Sequence, residues 1–418
     1  MGTLRSHSFF VLFTAILGVG ALTALPGCSS SSSEQDPAPG GASTTPPVPG
    51  GTDTAPTAPP GTVTPPGPAL TQVRVHYATA ASAPTALALR GSASPLAWDK
   101  SIALKVEKPG LYTWSSPDMK ADLELKPLLP GGATDTWSRG PNYKVKPGQT
   151  IDIYPHFVEQ HGTVTKKYPS FTSQKLPSTR GVWVYLPPTY VENIEARFGV
   201  LYMHDAQNLF SAGAAFGGTE WQVDETLDAG SEDGSIRETI VVGVENTSAR
   251  IDELTPTSDP GYGGGKADQY LSMIVDEIKP MVDKDLRTIT TREATAVMGS
   301  SLGGLVSAYA GVRRADVFGL VGEMSPSTWW DGTFIIGEVG TLATKPSKPI
   351  RVYVDSGDSG NSNDDVTNTT ALAAKYRSLG YADNKDFKHV VQPGAQHSEQ
   401  YWAQRLPEAL HFLLGARD

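Results

Sequence analysis

One cysteine in 418 residues, Cys28, excludes intramolecular disulfides and any zinc site built on thiolates. Positive charge is scarce as well. Thirty-four Lys and Arg stand against 44 Asp and Glu, a formal net charge of -10, and no basic cluster offsets the balance. Recognition of nucleic acid starts from neutralised phosphates, so this composition argues against it. Internal repeats are missing, and no run of aspartates has the spacing of an EF-hand loop. Long hydrophobic runs are missing too, apart from one near the N-terminus. The length suits two domains of ordinary size.

That one run is informative. Arg5 and His7 precede an uncharged, mostly apolar stretch from Phe9 to Leu25, followed by Pro26-Gly27-Cys28. This has the n-region and h-region of a secretory signal and is a little short for a spanning helix. Leu25-Pro26-Gly27-Cys28 resembles a bacterial lipobox, which implies lipidation of Cys28 as the new N-terminus. An ordinary signal peptide or an uncleaved anchor is the alternative. Ser29 follows Cys28 where an aspartate does not, which in the bacterial pattern points to the outer membrane. The expected location is the bacterial cell envelope, as an outer-membrane lipoprotein, or secretion. Residues 1–28 are then the signal. Residues 29–69, rich in Ser, Pro, Gly, Thr and Ala, bury too little to offset chain entropy and read as an extended tether.

Residues 70–175 read as a small all-β sandwich. Thr71–Tyr77, Ala86–Leu89, Ser101–Val106, Leu123–Leu128 and Gln149–Tyr154 are short strand-like runs between Gly/Pro turns, with no helical period. Leu96-Ala-Trp-Asp99, Trp114, Leu123-Glu-Leu-Lys126 and Trp137-Ser-Arg-Gly-Pro-Asn142 resemble a starch-binding type of carbohydrate-binding module. The resemblance implies sugar stacking on Trp98 and Trp137, since an indole face suits the apolar face of a pyranose. The alternative is that both tryptophans are core.

Residues 176–418 alternate strand-like runs (199–204, 239–244, 294–298, 350–354) with helical stretches (270–278, 372–379), the pattern of a mostly parallel sheet covered on both faces. Within it, a β-prone run ends at Gly299-Ser300-Ser301-Leu302-Gly303 and an apolar helix pattern begins at once. That is the nucleophile elbow of an α/β-hydrolase, with Ser301 lifted above the sheet edge. Gly299 and Gly303 are expected to let the two arms of the turn pack closely. The amide of Leu302, at the helix start, is a candidate oxyanion donor.

Val184-Tyr-Leu-Pro-Pro-Thr-Tyr190, Leu201-Tyr-Met-His-Asp-Ala-Gln-Asn-Leu-Phe210, Met298-Gly-Ser-Ser-Leu-Gly-Gly304 and Ser325-Pro-Ser327 before Trp329-Trp330 resemble the putative-esterase family, which includes enterochelin, feruloyl and acetyl-xylan esterases and esterase D. The resemblance implies a Ser-Asp/Glu-His mechanism and a second oxyanion donor at the amide of Ala206 or Gln207. His397, on a late loop before a helix from Glu399 to Leu414, matches the family's base. His389 and His411 fall within elements, and His204 matches the oxyanion loop. The acid is expected after the strand 350–354. Counting about three residues past its end selects Asp358, whereas counting back from the next helix selects Asp364, for which an N-cap role is the alternative. Gln207, Trp221, Arg250 and Trp329 are candidates for lining the substrate pocket, with packing as the alternative for each.

The sequence therefore leads us to expect a secreted, lipid-anchored serine esterase that uses neither metal nor cofactor. Its substrate would be a small-molecule or polysaccharide-linked ester, of carbohydrate or siderophore type. An acyltransferase of the same fold and a noncatalytic glycan-binding lipoprotein are the rival readings.

Overall fold

In the strand Thr71–His76 every second side chain is buried, the period-two pattern of a strand with one face in a core. It sits in a four-stranded sheet between Leu111–Ser116 and Thr150–Ile153, with Lys105–Lys108 at one edge. A second sheet joins Ile102–Ala103, Ala88–Gly91, Leu123–Leu129 and Thr136–Trp137, with Tyr143–Val145 also pairing to Leu123–Leu129. Val73, Val75, Tyr112 and Trp114 of the first sheet meet Leu89, Leu123 and Leu125 of the second in one core, as a sandwich requires. The computed structural model describes residues 70–415, apart from 118, 132–133 and 345–348. The expected signal, Cys28 and the tether lie outside the described residues.

Eight strands form the main sheet of the second domain: β1 (Thr163–Thr172), β2 (Thr179–Leu186), β3 (Gly199–His204), β4 (Thr239–Val244), β5 (Thr295–Ser301), β6 (Leu320–Pro326), β7 (Arg351–Gly357) and β8 (Phe387–Gln392). Their order is β1-β2-β4-β3-β5-β6-β7-β8, parallel from β4 onward and antiparallel at β1 and β2. The central strands are buried along almost their whole length and read as continuous apolar runs, because helices cover both faces. The helices that matter below are α1 (Val223–Asp233), α2 (Leu302–Arg313), α3 (Trp330–Gly340), α4 (Val366–Ser378) and α5 (Glu399–Leu414). Side chains of α1 and α5 pack on one face, and those of α2, α3 and α4 on the other. The strand order, the crossovers and the elbow are those of an α/β-hydrolase.

The expected boundary at residues 175 and 176 needs correction. β1 belongs to the eight-stranded sheet, not to the sandwich. It is an edge strand with no buried position, so it lacks the apolar alternation that marks a strand in sequence.

The two domains join through Glu192 and Asn193, just past β2. The Glu192 carboxylate accepts from Tyr77 Oη at 2.6 Å and from the amides of Phe157 and Val158 at 2.9 Å each. Asn193 Nδ2 donates to the carbonyls of His76 and Pro155, both at 2.9 Å. β2 runs antiparallel to β4, so its end and this joint lie at the amino edge of the parallel strands.

Candidate active site

β5 enters the sheet as Thr295-Ala-Val-Met-Gly-Ser, every residue buried, and reverses at Ser301. Ser301 has φ 58° and ψ −124°, a strained conformation for any side-chain-bearing residue and the mark of the elbow. Ser300 is buried, while Ser301 is partly open. Gly299 is required: an added Cβ would lie 2.8 Å from both the Gly303 carbonyl carbon and His204 Cδ2. Gly303 has more room than expected, its nearest contact being His204 Cβ at 3.4 Å. The tighter position is Gly304, where a Cβ would meet Met324 O and Pro326 Cα at 2.9 Å. Ser301 Oγ lies 3.4 Å from Ser327 Oγ, at the end of the neighbouring β6.

The two candidate acids separate cleanly. His397 Nδ1 lies 2.5 Å from Asp364 Oδ1. Asp358 instead accepts from the Gly394 amide at 2.6 Å, which ties its loop to the loop before His397. The expected place of Asp358 beside His397 is taken by Asp364, for a local reason. β7 runs on to Gly357, past the expected end at Val354, and the chain then loops out before returning. Asn363, Asp364 and Asp365 all have positive φ, which brings Asp364 back to the sheet edge. Asp365, not Asp364, precedes α4, and it accepts from Asn368 Nδ2 and the Trp329 amide.

Asp364 Oδ2 accepts from Ser325 Oγ at 2.6 Å and from the Gly357 amide at 2.5 Å. Burial works to raise its carboxyl, but the hydrogen bonds from His397, Ser325 and Gly357 outweigh it and hold the group below the usual carboxylate range. Behind it, Arg405 Nε lies 2.9 Å from Asp355 Oδ2 in a fully buried ion pair. Trp402 of α5 sets its ring edge-on against His397, with centroids 5.0 Å apart.

The loop after β3 lies against the elbow, with His204 and Asp205 beside Gly303. Ala206 opens a short 3-10 turn after Asp205, itself in the left-handed region. Arg250 was a candidate for substrate contact, but its guanidinium holds Asp205 in a two-pronged pair, Nε to Oδ1 and Nη2 to Oδ2, each at 2.8 Å. Asn246 adds a bond to Asp205 at 2.6 Å. Gln207 Oε1 accepts from the Asn246 amide at 3.4 Å. His204 is buried beneath the elbow with Nδ1 2.9 Å from Tyr270 Oη. Burial lowers its pKa to about 4, against the pull of Asp205, so it is neutral and packs rather than titrates.

Of the two tryptophan candidates, Trp221 is only 3% exposed and packs against Trp402, one layer behind His397. Trp329 is 42% exposed and meets Tyr262 edge-on at 5.5 Å. Sequence reasoning missed Tyr262, which stands at a Gly-rich hairpin tip, and the buried polar group Ser325, Asp355 and Arg405. Ser325 inside the apolar run 320–326 and Asp355 directly after the run 350–354 were the available signal. In the sandwich, Trp98 and Trp137 are 40% and 37% exposed, with centroids 6.3 Å apart and the Arg90 guanidinium over Trp137.

The chain matches the Putative esterase family over residues 173–413. An uncharacterized protein of Bacillus subtilis, YbbA, is 24% identical over 255 residues, covering 58% of this chain and 96% of its own length. An endo-1,4-beta-xylanase/feruloyl esterase of Xylanibacter ruminicola is 26% identical over 280 residues, 64% of this chain. This chain spans only 34% of that longer protein. The enterobactin esterase FES of Shigella flexneri, a solved structure, is 14% identical with a TM-score of 0.48, covering 79% of this chain and 90% of its own. With more than half of its length matched and with the elbow and strand order that this fold requires, the protein belongs to the putative-esterase family and is an esterase.

Proposed function

We propose that this esterase cleaves carboxylic esters through an acyl-enzyme on Ser301, with His397 as base and Asp364 as its acid partner. The observation that carries the reading is the 2.5 Å contact of His397 with Asp364, at the same sheet edge as the strained Ser301. His397 takes the Ser301 proton as Oγ attacks the carbonyl, and the imidazolium, facing Asp364, returns it to the leaving alcohol. Water then repeats the sequence to release the acid. The amides of Leu302 and of Ala206 or Gln207 hold the oxyanion. Ser301→Ala removes nearly all turnover of an activated aryl ester, while Ser300→Ala keeps much of it. A serine-directed phosphonate labels Ser301, and peptide mapping that finds the adduct elsewhere overturns the assignment.

For the substrate we favour carbohydrate-linked esters over siderophore lactones. The xylanase/feruloyl esterase of Xylanibacter, as a relative, and the paired, exposed Trp98 and Trp137 support this. The sandwich then binds glycan through those two rings. Lipidation of Cys28 would hold the enzyme at the cell envelope, and Cys28→Ser should move it to the soluble fraction with activity intact.

A further inference from the structure

β6 runs between the strand that carries the nucleophile and the strand that leads to the acid, and it ends in Ser325-Pro326-Ser327. Ser325 is fully buried and takes no part in the steps above. Its hydroxyl meets three groups: Trp402 Nε1 at 3.0 Å, Arg405 Nη2 at 2.8 Å and Asp364 Oδ2 at 2.6 Å. A hydroxyl has one hydrogen to donate and two lone pairs to accept with, whereas indole and guanidinium nitrogens only donate. Both lone pairs are occupied, so the single hydrogen has only Asp364 to go to. A rotor that is normally free is fixed here by its neighbours.

We infer that Ser325 is a positioning residue for the acid of the triad, holding Asp364 Oδ2 together with the Gly357 amide so that Oδ1 faces His397; this rests on the triad reading. The backbone alone does not supply that aim, since Asp364 sits in an irregular turn of three positive-φ residues. Ser325 is itself held. Its amide donates to Asp355 Oδ1 at 3.0 Å, Asp355 pairs with Arg405 Nε, and Arg405 Nη1 donates to Gln392 Oε1 at 3.0 Å. The guanidinium is thus anchored to β7 and β8 before it reaches Ser325. Trp402 does two things at once: its ring edge steadies His397 and its N–H fills one lone pair of Ser325. Arg405 Nη2 also lies 3.8 Å from Asp364 Oδ2. The Asp355 carboxylate balances that charge, which leaves the acid free to serve the imidazolium.

Ser325→Ala removes the donor with almost no change of volume. We expect kcat on an activated aryl ester to fall on the order of 10- to 100-fold, the strength of one hydrogen bond to a charged group, with KM within about twofold. A double-mutant cycle separates positioning from simple support: in an Asp364→Asn background, Ser325→Ala costs almost nothing further, because the hydroxyl acts through that carboxylate. The far-downfield Nδ1 proton of His397, read by NMR in the folded variant, shifts or broadens. An equal fold-loss in both backgrounds, or an unmoved proton, overturns the inference. If Ser325→Ala does not fold, Trp402→Phe keeps a ring beside His397, frees one lone pair of Ser325 and runs the same cycle, with additive losses again the overturning result. Asp364→Asn near wild-type activity overturns the triad instead, so the two failures are distinguishable.

Discussion

Glu323 carries a carboxyl into the middle of the sheet with one partner, accepting from Tyr376 Oη at 2.6 Å through Oε1, while Oε2 has none among the described residues. Burial pushes its pKa up to about 8, against the bond from Tyr376, which favours the charged form. An unfolded glutamate titrates near ~4.3, so between there and about 8 the fold keeps a proton that the unfolded chain gives up. Stability from this group is whole below that lower value and is lost as pH rises through the upper one. Glu323→Gln should therefore be more stable than wild type at pH 8, by on the order of a few kcal/mol, and close to it near pH 4.5. Urea unfolding at both pH values measures this, and an equal difference at the two would mean that the group is not neutral in the fold. At the edge of the same sheet, Asp364→Asn should cut turnover by about 10⁴-fold without unfolding, because the imidazole loses its tautomer control and its countercharge. Asp358→Asn should cost little, since an amide oxygen still accepts from Gly394. Reversed outcomes would restore Asp358.

At the scale of elements, the elbow works only while α2 can lie against the ends of β5 and β6. A Cβ at Gly304 would meet backbone on β6 at 2.9 Å, whereas one at Gly303 meets a side chain at 3.4 Å. Gly304→Ala should lower stability by about 1–3 kcal/mol through overpacking and slow phosphonate labelling of Ser301 by moving the helix start. Gly303→Ala should be milder on both counts, and the opposite ranking would show that the close approach is not what fixes the elbow. β3, β4, β5 and β7, with α2, α4 and α5, were legible because both faces of the sheet are buried, so apolar runs and helical spacing alternate along the chain; β6, which carries Glu323 and Ser325 among its apolar residues, was not read as a strand. β1 was not legible, because an exposed edge strand has no such pattern. Ser301 and His397 stand at element ends that a sequence marks. The carboxylate beside His397 was ambiguous because β7 overruns its apolar stretch and the turn at 363–365 depends on unusual φ values rather than on composition. Ser325, Asp355 and Arg405 come from three different elements and meet only in the fold.

At the scale of the molecule, the sandwich is joined at the amino edge of the parallel strands, whereas Ser301, Asp364 and His397 stand at the carboxyl edge. The Glu192 knot is a firm joint of charge-assisted bonds, but it does not bring the sandwich's residues to Ser301. If Trp98 and Trp137 bind glycan, they act by raising the local concentration of an attached polymer around the enzyme, not by lining its pocket. Small and large substrates should then respond differently to the same change. Trp98→Ala combined with Trp137→Ala should leave kcat/KM on a soluble aryl ester at the wild-type value. The same variant should raise the apparent KM on an ester-bearing polysaccharide, with kcat unchanged, and should lose retention on that polysaccharide in a pull-down. The solvent exposure of both rings makes the double variant safe for folding, which a melting curve verifies. An equal loss on both substrates would mean that the sandwich supports the catalytic domain structurally. No loss on either would mean that the paired tryptophans have no part in substrate capture.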